Sequence, residues 1–270
     1  MKRLFRTLLL CTFFILTQVS ALDQKAFAVV IPSYNNSEYY QQNLESVLFQ
    51  NYDNYRIIYI DDASEDRNGE LVQEYIRKNG LERRITFVQN RKREGALANV
   101  YRGIWLCAPN EIVVNLDGDD WLAHEHVLEK LNEVYSDPDV WVTYGQFVYY
   151  PCGSPGWAAQ VPQYIIDKNE FRDYHWVTTA LRTFYAGLFH KIKKEDLYYN
   201  GSFYFTAGDL AYMWPVLEMA GQHSRFIPDV LYVYNVGTPI NDMKKDPELQ
   251  RYLGLVTREG RRYQPINRPY

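Results

Sequence analysis

A mostly parallel α/β sheet flanked by helices is the fold the sequence predicts, and three observations predict it. Short apolar runs alternate with stretches of helical period from Ala28 to Tyr135. The runs are rich in β-branched residues, as strands covered on both faces are. Polar or acidic clusters stand directly after several of them, and open α/β sheets bind their ligands outside the carboxyl ends of the strands. A chain of 270 residues suffices for one compact domain.

Ala28-Val29-Val30-Ile31-Pro32 reads as the first strand, stopped by proline and followed by the polar turn Ser33-Tyr34-Asn35-Asn36-Ser37. A helix from about Glu38 to Gln50 puts Leu44, Val47 and Leu48 on one face. Tyr55 to Ile60 forms the second strand and ends in Asp61-Asp62. Asp66 then caps a helix of about Asn68 to Asn79, which is amphipathic through Leu71, Val72, Tyr75 and Ile76 and stops at Gly80. The third strand is Ile85 to Val88. The basic loop Arg91-Lys92-Arg93-Glu94-Gly95 after it lies where a phosphate can approach, though a solvated turn would look the same, and a helix follows through Leu97, Val100, Tyr101 and Ile104.

Ile112 to Leu116 is the fourth strand, and Asp117-Gly118-Asp119-Asp120-Trp121 crowns it. Two hard oxygen donors at a strand end suit Mg²⁺ or Mn²⁺ held together with phosphates. Gly118 relieves crowding where the backbone turns. A plainer reading makes Asp119 or Asp120 the N-cap of a helix beginning near Leu122. An EF-hand loop is excluded, because Trp121 stands where the fifth-position ligand belongs and no glycine follows. The helix after this strand runs from about His124 to Tyr135 and closes at Asp137-Pro138.

Beyond Tyr150 the pattern becomes irregular. Pro151-Cys152-Gly153-Ser154-Pro155-Gly156 interrupts the chain, Leu181 to Ile192 is helix-like, and Gly208-Asp209-Leu210 opens a helix that buries Met213, Val216, Leu217 and Ala220.

Residues 1–21 have the three parts of a secretory signal peptide: Lys2, Arg3 and Arg6, an apolar run from Leu8 to Leu16, and Val19-Ser20-Ala21. The apolar run falls short of the ~20 residues a bilayer core requires, so a retained membrane anchor is the second choice. Cleavage after Ala21 removes three positive charges and takes the formal charge from -4 to -7, which disfavours nucleic acid as a partner. Cys107 and Cys152 have no metal spacing and are expected to be unpaired. The 24 Tyr and 6 Trp offer stacking surfaces for rings, although aromatics mostly serve packing.

No G-x-G-x-x-G follows the first strand, which disfavours a nicotinamide or flavin enzyme. Acids at the ends of strands two and four fit a different ligand: Asp61 or Asp62 on a base or ribose, and Asp117 with Asp119 on a metal-bound diphosphate, as in a nucleotide-sugar site. The ordered motifs Val30-Ile31-Pro32-Ser33-Tyr34-Asn35, Ile60-Asp61-Asp62-Ala63-Ser64 and Leu116-Asp117-Gly118-Asp119-Asp120 carry a family resemblance. Through them the chain resembles the family 2 glycosyltransferases of GT-A fold, strongly over about Phe27 to Tyr150 and more weakly to about Tyr234.

The resemblance implies inverting transfer of one sugar from a nucleotide-diphosphate donor, a UDP-sugar above all, to a hydroxyl of a glycan, lipid or protein. It places Pro32, Tyr34, Asp61 and Asp62 at the nucleoside. Asp117 and Asp119 fall on the D-x-D, where the second aspartate coordinates Mn²⁺ or Mg²⁺ and the first contacts ribose or metal. Asp209 falls at the helix start where the family holds its general base, and its plain alternative is an N-cap. Arg93 would stabilise the departing diphosphate. Residues 27–150 would then form the nucleotide-sugar half, and residues 151–270 the acceptor half with a C-terminal extension.

The chain departs from the pattern in two places. Relatives often place a histidine ligand after the last core strand, but none follows His223, so Asp242, Asn241 or a water would substitute. Gln222-His223-Ser224-Arg225-Phe226 mimics the Q-x-x-R-W of processive synthases but lies too near Asp209, so single-sugar transfer is expected. The competing readings are an inactive GT-A domain that binds glycans or nucleotides, and a nucleotidyltransferase. The latter would normally carry a glycine-rich loop after strand one.

Overall fold

The computed structural model describes residues 23–238 and 246–270. The leader expected over residues 1–21, and Asn241 and Asp242 as metal ligands, therefore lie outside the described residues. The first half alternates as its sequence requires: β1 (Phe27–Ser33), α1 (Tyr40–Leu48), β2 (Tyr55–Asp61), α2 (Asn68–Lys78), β3 (Ile85–Gln89), α3 (Ala96–Ile104) and β4 (Ile112–Asn115). β1 lies between β2 and β4 and parallel to both, with Val29 in register with Ile57 on one side and Val114 on the other. Every residue of β1 and β4 is buried, which is why both read as continuous apolar runs.

The second half brings β5 (Trp121–Leu122), α4 (Val127–Tyr135), β6 (Val142–Tyr150), α5 (Gln163–Lys168), β7 (Arg182–Tyr185) and α6 (Ala186–Phe189). A two-stranded ribbon of β8 (Tyr198–Tyr199) and β9 (Ser202–Phe203) follows, then α7 (Gly208–Ala220), β10 (Ser224–Asn235) and α8 (Pro247–Glu259). The eight-stranded sheet runs β3-β2-β1-β4-β7-β6-β10-β5. It is mixed but mostly parallel: β7 opposes both β4 and β6, and β5 opposes β10. Helices flank the sheet, as expected.

Two expectations are corrected. The helix-like stretch Leu181 to Ile192 opens as strand β7, which fills the gap between β4 and β6 before the four-residue α6. Its apolar period was too short to separate helix from strand, and the aromatic and β-branched Thr183-Phe184-Tyr185 favour the pleated form. Thr183 satisfies its buried hydroxyl with Tyr135 and Thr143, at 2.9 and 2.6 Å. The second correction is that no helix starts near Leu122. Trp121 and Leu122 pair with Val233 and Tyr232, α4 begins only at Val127, and neither Asp119 nor Asp120 is its cap.

Asp66 does serve α2, accepting from Asn68 N at 3.0 Å and from Ser37 N at 2.8 Å. Cys107, buried, and Cys152, exposed, carry free thiols. Behind the sheet Arg172 pairs with Glu218 of α7 through Nε and Nη2 at 2.6 and 2.9 Å, both side chains buried. Arg172 also donates to the carbonyls of Thr257 and Arg261, so one guanidinium ties α7 to α8 and to the chain that follows it.

Candidate active site

The carboxylate loop after β4 is positioned by backbone bonds to its neighbour. Leu116 N donates to Val30 O at 3.1 Å and Gly118 N to Pro32 O at 3.0 Å, so the turn continues the pairing with β1. Asn43, buried on α1, donates from Nδ2 to the carbonyls of Asp117 and Asp120 at 2.9 and 2.7 Å and clamps both ends of the turn. At Gly118 an added Cβ would lie 2.6 Å from Ser33 Oγ and 2.8 Å from Asn36 Nδ2. The glycine is therefore required by close approach of two loops, not by an unusual φ.

The three carboxylates of this turn are not equivalent. Asp117 and Asp119 line an open cleft of about 420 Å³, within the range of small-molecule sites. Asp120 is nearly sealed and accepts from Tyr232 Oη at 2.5 Å and Asn235 N at 2.6 Å. Burial, and then the charges of Asp119 and Asp117, push its carboxyl well above the usual range against the pull of those two donors. Asp120 borders the cleft as well, but both its oxygens are engaged in tying the end of β4 to β10.

The loop after β2 divides its work in the same way. Asp61 is fully buried and absent from the cleft lining; its oxygens accept from Asn68 Nδ2 at 2.8 Å, Ser64 N at 3.2 Å and Gln89 Nε2 at 3.4 Å. Asp62 reaches the cleft while accepting from Asn90 Nδ2, Glu94 N and Gly95 N, at 2.7, 2.8 and 2.8 Å. It thereby fixes the basic loop Arg91 to Gly95. Arg93 of that loop lies 4.0 Å over the ring of Tyr34 and 5.2 Å over Phe205, spanning the cleft from its first half to its second.

Asp209 comes to the cleft from the second half of the chain. It stands in the first turn of α7, but the N-cap is Ala207, at φ 55°, so the cap role weighed for Asp209 is not the one it holds. Its Oδ1 accepts from its neighbour Leu210 N at 3.0 Å and its Oδ2 from Arg182 Nη1 at 3.1 Å. Arg182 is cross-strand from Asn115, which brings β7 to the D-x-D end of β4. Burial works against the charge on Arg182, but Tyr212, Asp209, Asp117 and Tyr232 outweigh it and hold the guanidinium above its ordinary range.

Of the residues singled out in the sequence, Pro32, Tyr34, Asp62, Arg93, Asp117, Asp119 and Asp209 all line this one cleft, and Asp61 does not. Arg182, Tyr212, Tyr232 and Thr206 line it as well and escaped the sequence reading. An arginine inside Leu181-Arg182-Thr183-Phe184-Tyr185 was the available signal for the first of them. Five buried polar atoms on lining residues find no protein partner: Asn36 Oδ1, Asn115 Oδ1, Arg182 Nε, Thr206 Oγ1 and Tyr212 Oη. Unmatched groups of this kind are costly unless a ligand or water completes them.

Among the described residues no group of three His, Cys, Asp or Glu side chains is disposed to hold a metal by itself. Asp117 and Asp119 nevertheless fit a hard divalent cation, because Mg²⁺-type ions take one or two carboxylates and complete their shell with water and phosphate oxygens.

Fold and cleft together define an α/β protein whose ligand site opens at the carboxyl ends of its strands. The glycosyl transferase family 2 model matches residues 28–200, and the chain belongs to that family. Poly(ribitol-phosphate) β-N-acetylglucosaminyltransferase TarP of Staphylococcus aureus is 34% identical over 176 residues, 64% of this chain and 50% of that protein. Glycosyltransferase GlyG of Streptococcus pneumoniae is 29% identical over 123 residues, 46% of this chain and 39% of that protein. The chain thus spans half or less of these two relatives.

Among solved structures, S. aureus TarS 1–349 in complex with UDP-GlcNAc superposes with a TM-score of 0.59 at 16% identity, over 82% of this chain and 61% of that one. Mannosyltransferase PcManGT from Pyrobaculum calidifontis, in complex with GDP-Man and Mn²⁺, gives 0.55 at 19% identity, over 87% and 63%. At these identities the likeness is one of fold.

Proposed function

We propose that the cleft transfers a single sugar from a nucleotide-diphosphate donor, a UDP-sugar above all, to an acceptor hydroxyl with inversion. The observation that supports this reading best is the convergence of Asp62, Arg93, Asp117, Asp119 and Asp209 on one cavity from four separate stretches of chain. The UDP and UDP-GlcNAc complexes of TarS and the GDP-Man complex of PcManGT support a nucleotide-sugar donor.

In this reading Tyr34 and Pro32 flank the nucleoside and Asp62 holds the loop beside it. Asp119, with Asp117, would hold Mn²⁺ or Mg²⁺, which when bound offsets charge developing on the departing diphosphate. Arg93 adds a fixed positive charge on the same side. An acceptor hydroxyl is a poor nucleophile until its proton has somewhere to go. Asp209 takes that proton, having lone pairs left after its bonds to Leu210 and Arg182. Arg182 orients the carboxylate. One base on one face, with the diphosphate leaving from the other, gives a single displacement and hence inversion.

The acceptor is a glycan, lipid or protein hydroxyl. No described helix is long and apolar enough to cross a membrane. Residues 1–21 act as an export signal, or in the alternative as a membrane anchor; a mature chain beginning at Leu22 supports the first and an intact leader in membranes the second. The binding half of the proposal is tested by thermal unfolding with UDP and Mn²⁺. Saturation at ~100 Kd should stabilise by about 2.7 kcal/mol. No shift with UDP or GDP would remove the nucleotide site.

A further inference from the structure

The cleft has two unlike walls. One carries Asp62, Arg93, Asp117 and Asp119; the other is aromatic and is built by β6, β10 and the loop after β6. Phe147 and Tyr149 meet edge to face at 5.0 Å, and each meets Tyr234 at 5.8 Å, so the three lining rings lock one another in place. The chain then folds back on this wall. Tyr149 N donates to Ser154 O at 2.9 Å, Gly153 N to Tyr149 O at 2.7 Å and Gly156 N to Phe147 O at 2.7 Å. Gly156 packs against the ring of Phe147, where an added Cβ would come within 2.4 Å of a ring carbon.

That close approach sets the next residue, Trp157, at the mouth of the cleft with 48% of its surface exposed. A single exposed apolar residue needs no explanation. Trp157 differs because it lines the same cavity as Asp209 and follows directly on Gly156, which packs on the ring of Phe147, with Phe205 exposed at the rim beside Arg93.

Charge narrows what this wall accepts. The cations among the described lining residues are Arg93 and Arg182, and Arg182 is paired with Asp209. Against them stand the carboxylates of Asp62, Asp117, Asp119 and Asp209. A cation held with the donor diphosphate leaves no positive surplus for a second polyanion. A neutral pyranose suits the wall better, since its C–H face packs on an indole while its equatorial hydroxyls stay wet or reach Asp209.

We propose that Trp157, with the locked rings Phe147, Tyr149 and Tyr234 lining the same cleft, forms the platform that binds the acceptor, and that the acceptor is a neutral saccharide rather than a polyol-phosphate chain. The assignment rests on the glycosyltransferase reading of the cleft and adds the acceptor class to it.

The test measures nucleotide release by the full chain from the best UDP-sugar, with and without acceptor probes. The probes are cellotetraose, maltotetraose, N,N′,N″-triacetylchitotriose and an oligomer of ribitol phosphate. At least one neutral oligosaccharide should accelerate release and ribitol phosphate should not. Trp157→Ala should raise the acceptor KM about tenfold while moving the donor KM less than about twofold, and Trp157→Phe should recover most of the loss. Tyr164→Ala, exposed and outside the cleft lining, is the control expected to match wild type. Donor hydrolysis with a preference for ribitol phosphate, with no response to any neutral probe, or with an acceptor KM indifferent to Trp157→Ala overturns the acceptor assignment alone. Wild-type protein that neither binds nor hydrolyses any nucleotide sugar overturns the glycosyltransferase reading, and the platform with it.

Discussion

Arg182 Nη1 lies 3.1 Å from Asp209 Oδ2, joining a buried guanidinium of β7 to a carboxylate in the first turn of α7. Arg182 is the more deeply buried partner, with 8% of its side chain exposed against 33% for Asp209. The pair therefore limits what a substitution at either position can mean, because each change alters a charge balance as well as a chemical group.

Asp209→Asn removes the proton acceptor and one counter-charge of Arg182. Turnover should fall by ~10²–10⁴, the usual worth of a general base, with donor KM near wild type. Because Ala207 is the N-cap, the substitution does not simply swap one good cap for another. A stability loss of about 1–2 kcal/mol is expected from the weakened pair, discounted for the exposure of Asp209. Chemical denaturation and steady-state kinetics on one preparation separate the two effects. Normal turnover would make Asp209 a structural partner of Arg182 and nothing more.

Arg182→Met and Arg182→Lys address positioning. Met leaves Asp209 without its orienting donor, and kcat should drop by about tenfold to a hundredfold, whereas Lys keeps the charge without the planar fork and should recover only part of it. Equal kcat in wild type and Arg182→Met would show that Asp209 needs no such support.

Metal dependence divides between Asp119 and Gly118. EDTA should abolish donor turnover, and Asp119→Asn should weaken metal-linked nucleotide binding while the fold survives, since an amide can ligate but does not offset a cation bound to diphosphate. Gly118→Ala forces Cβ against Ser33 and Asn36 and should cost about 1–3 kcal/mol while raising donor KM. Full activity in EDTA sinks the metal claim. Unchanged kinetics in Gly118→Ala would show that the turn can relax.

Away from the cleft, Arg172 and Glu218 predict a stability cycle. Arg172→Met leaves Glu218 buried with only Tyr263 N as a charge-stabilising donor and should cost about 3–5 kcal/mol by urea denaturation. The double variant Arg172→Met, Glu218→Met should recover a large part of that. A double variant as unstable as the sum of its singles would argue that the loss comes from packing and the Thr257 and Arg261 carbonyls instead.

Most of the first half was legible because each of its signals was local. β1 and β4 are buried on both faces and β2 is from Ile57 onward, so their apolar runs were continuous and their polar ends abrupt; Asp117 and Asp119 could be assigned to the cleft from those ends alone. Asp61 and Asp62 could not be told apart, since which of two adjacent aspartates faces the cleft depends on Asn68 and Gln89 on one side and Gly95 on the other. β7 was hidden by its length of four residues and by its antiparallel entry between β4 and β6, a pairing that only the assembled sheet dictates. With β7 went Arg182. The bond from Tyr232 to Asp120 spans 112 residues and leaves no local trace.

The most direct test of the central claim is release of nucleotide from a panel of UDP- and GDP-sugars with Mn²⁺, run side by side on wild type, Asp119→Asn and Asp209→Asn. Wild type should release nucleotide from at least one donor, Asp119→Asn should lose donor binding and release together, and Asp209→Asn should bind the donor yet turn it over ~10²–10⁴-fold more slowly in transfer. A wild type silent toward every donor, or release unaltered in both variants, would contradict the assignment of this cleft to sugar transfer.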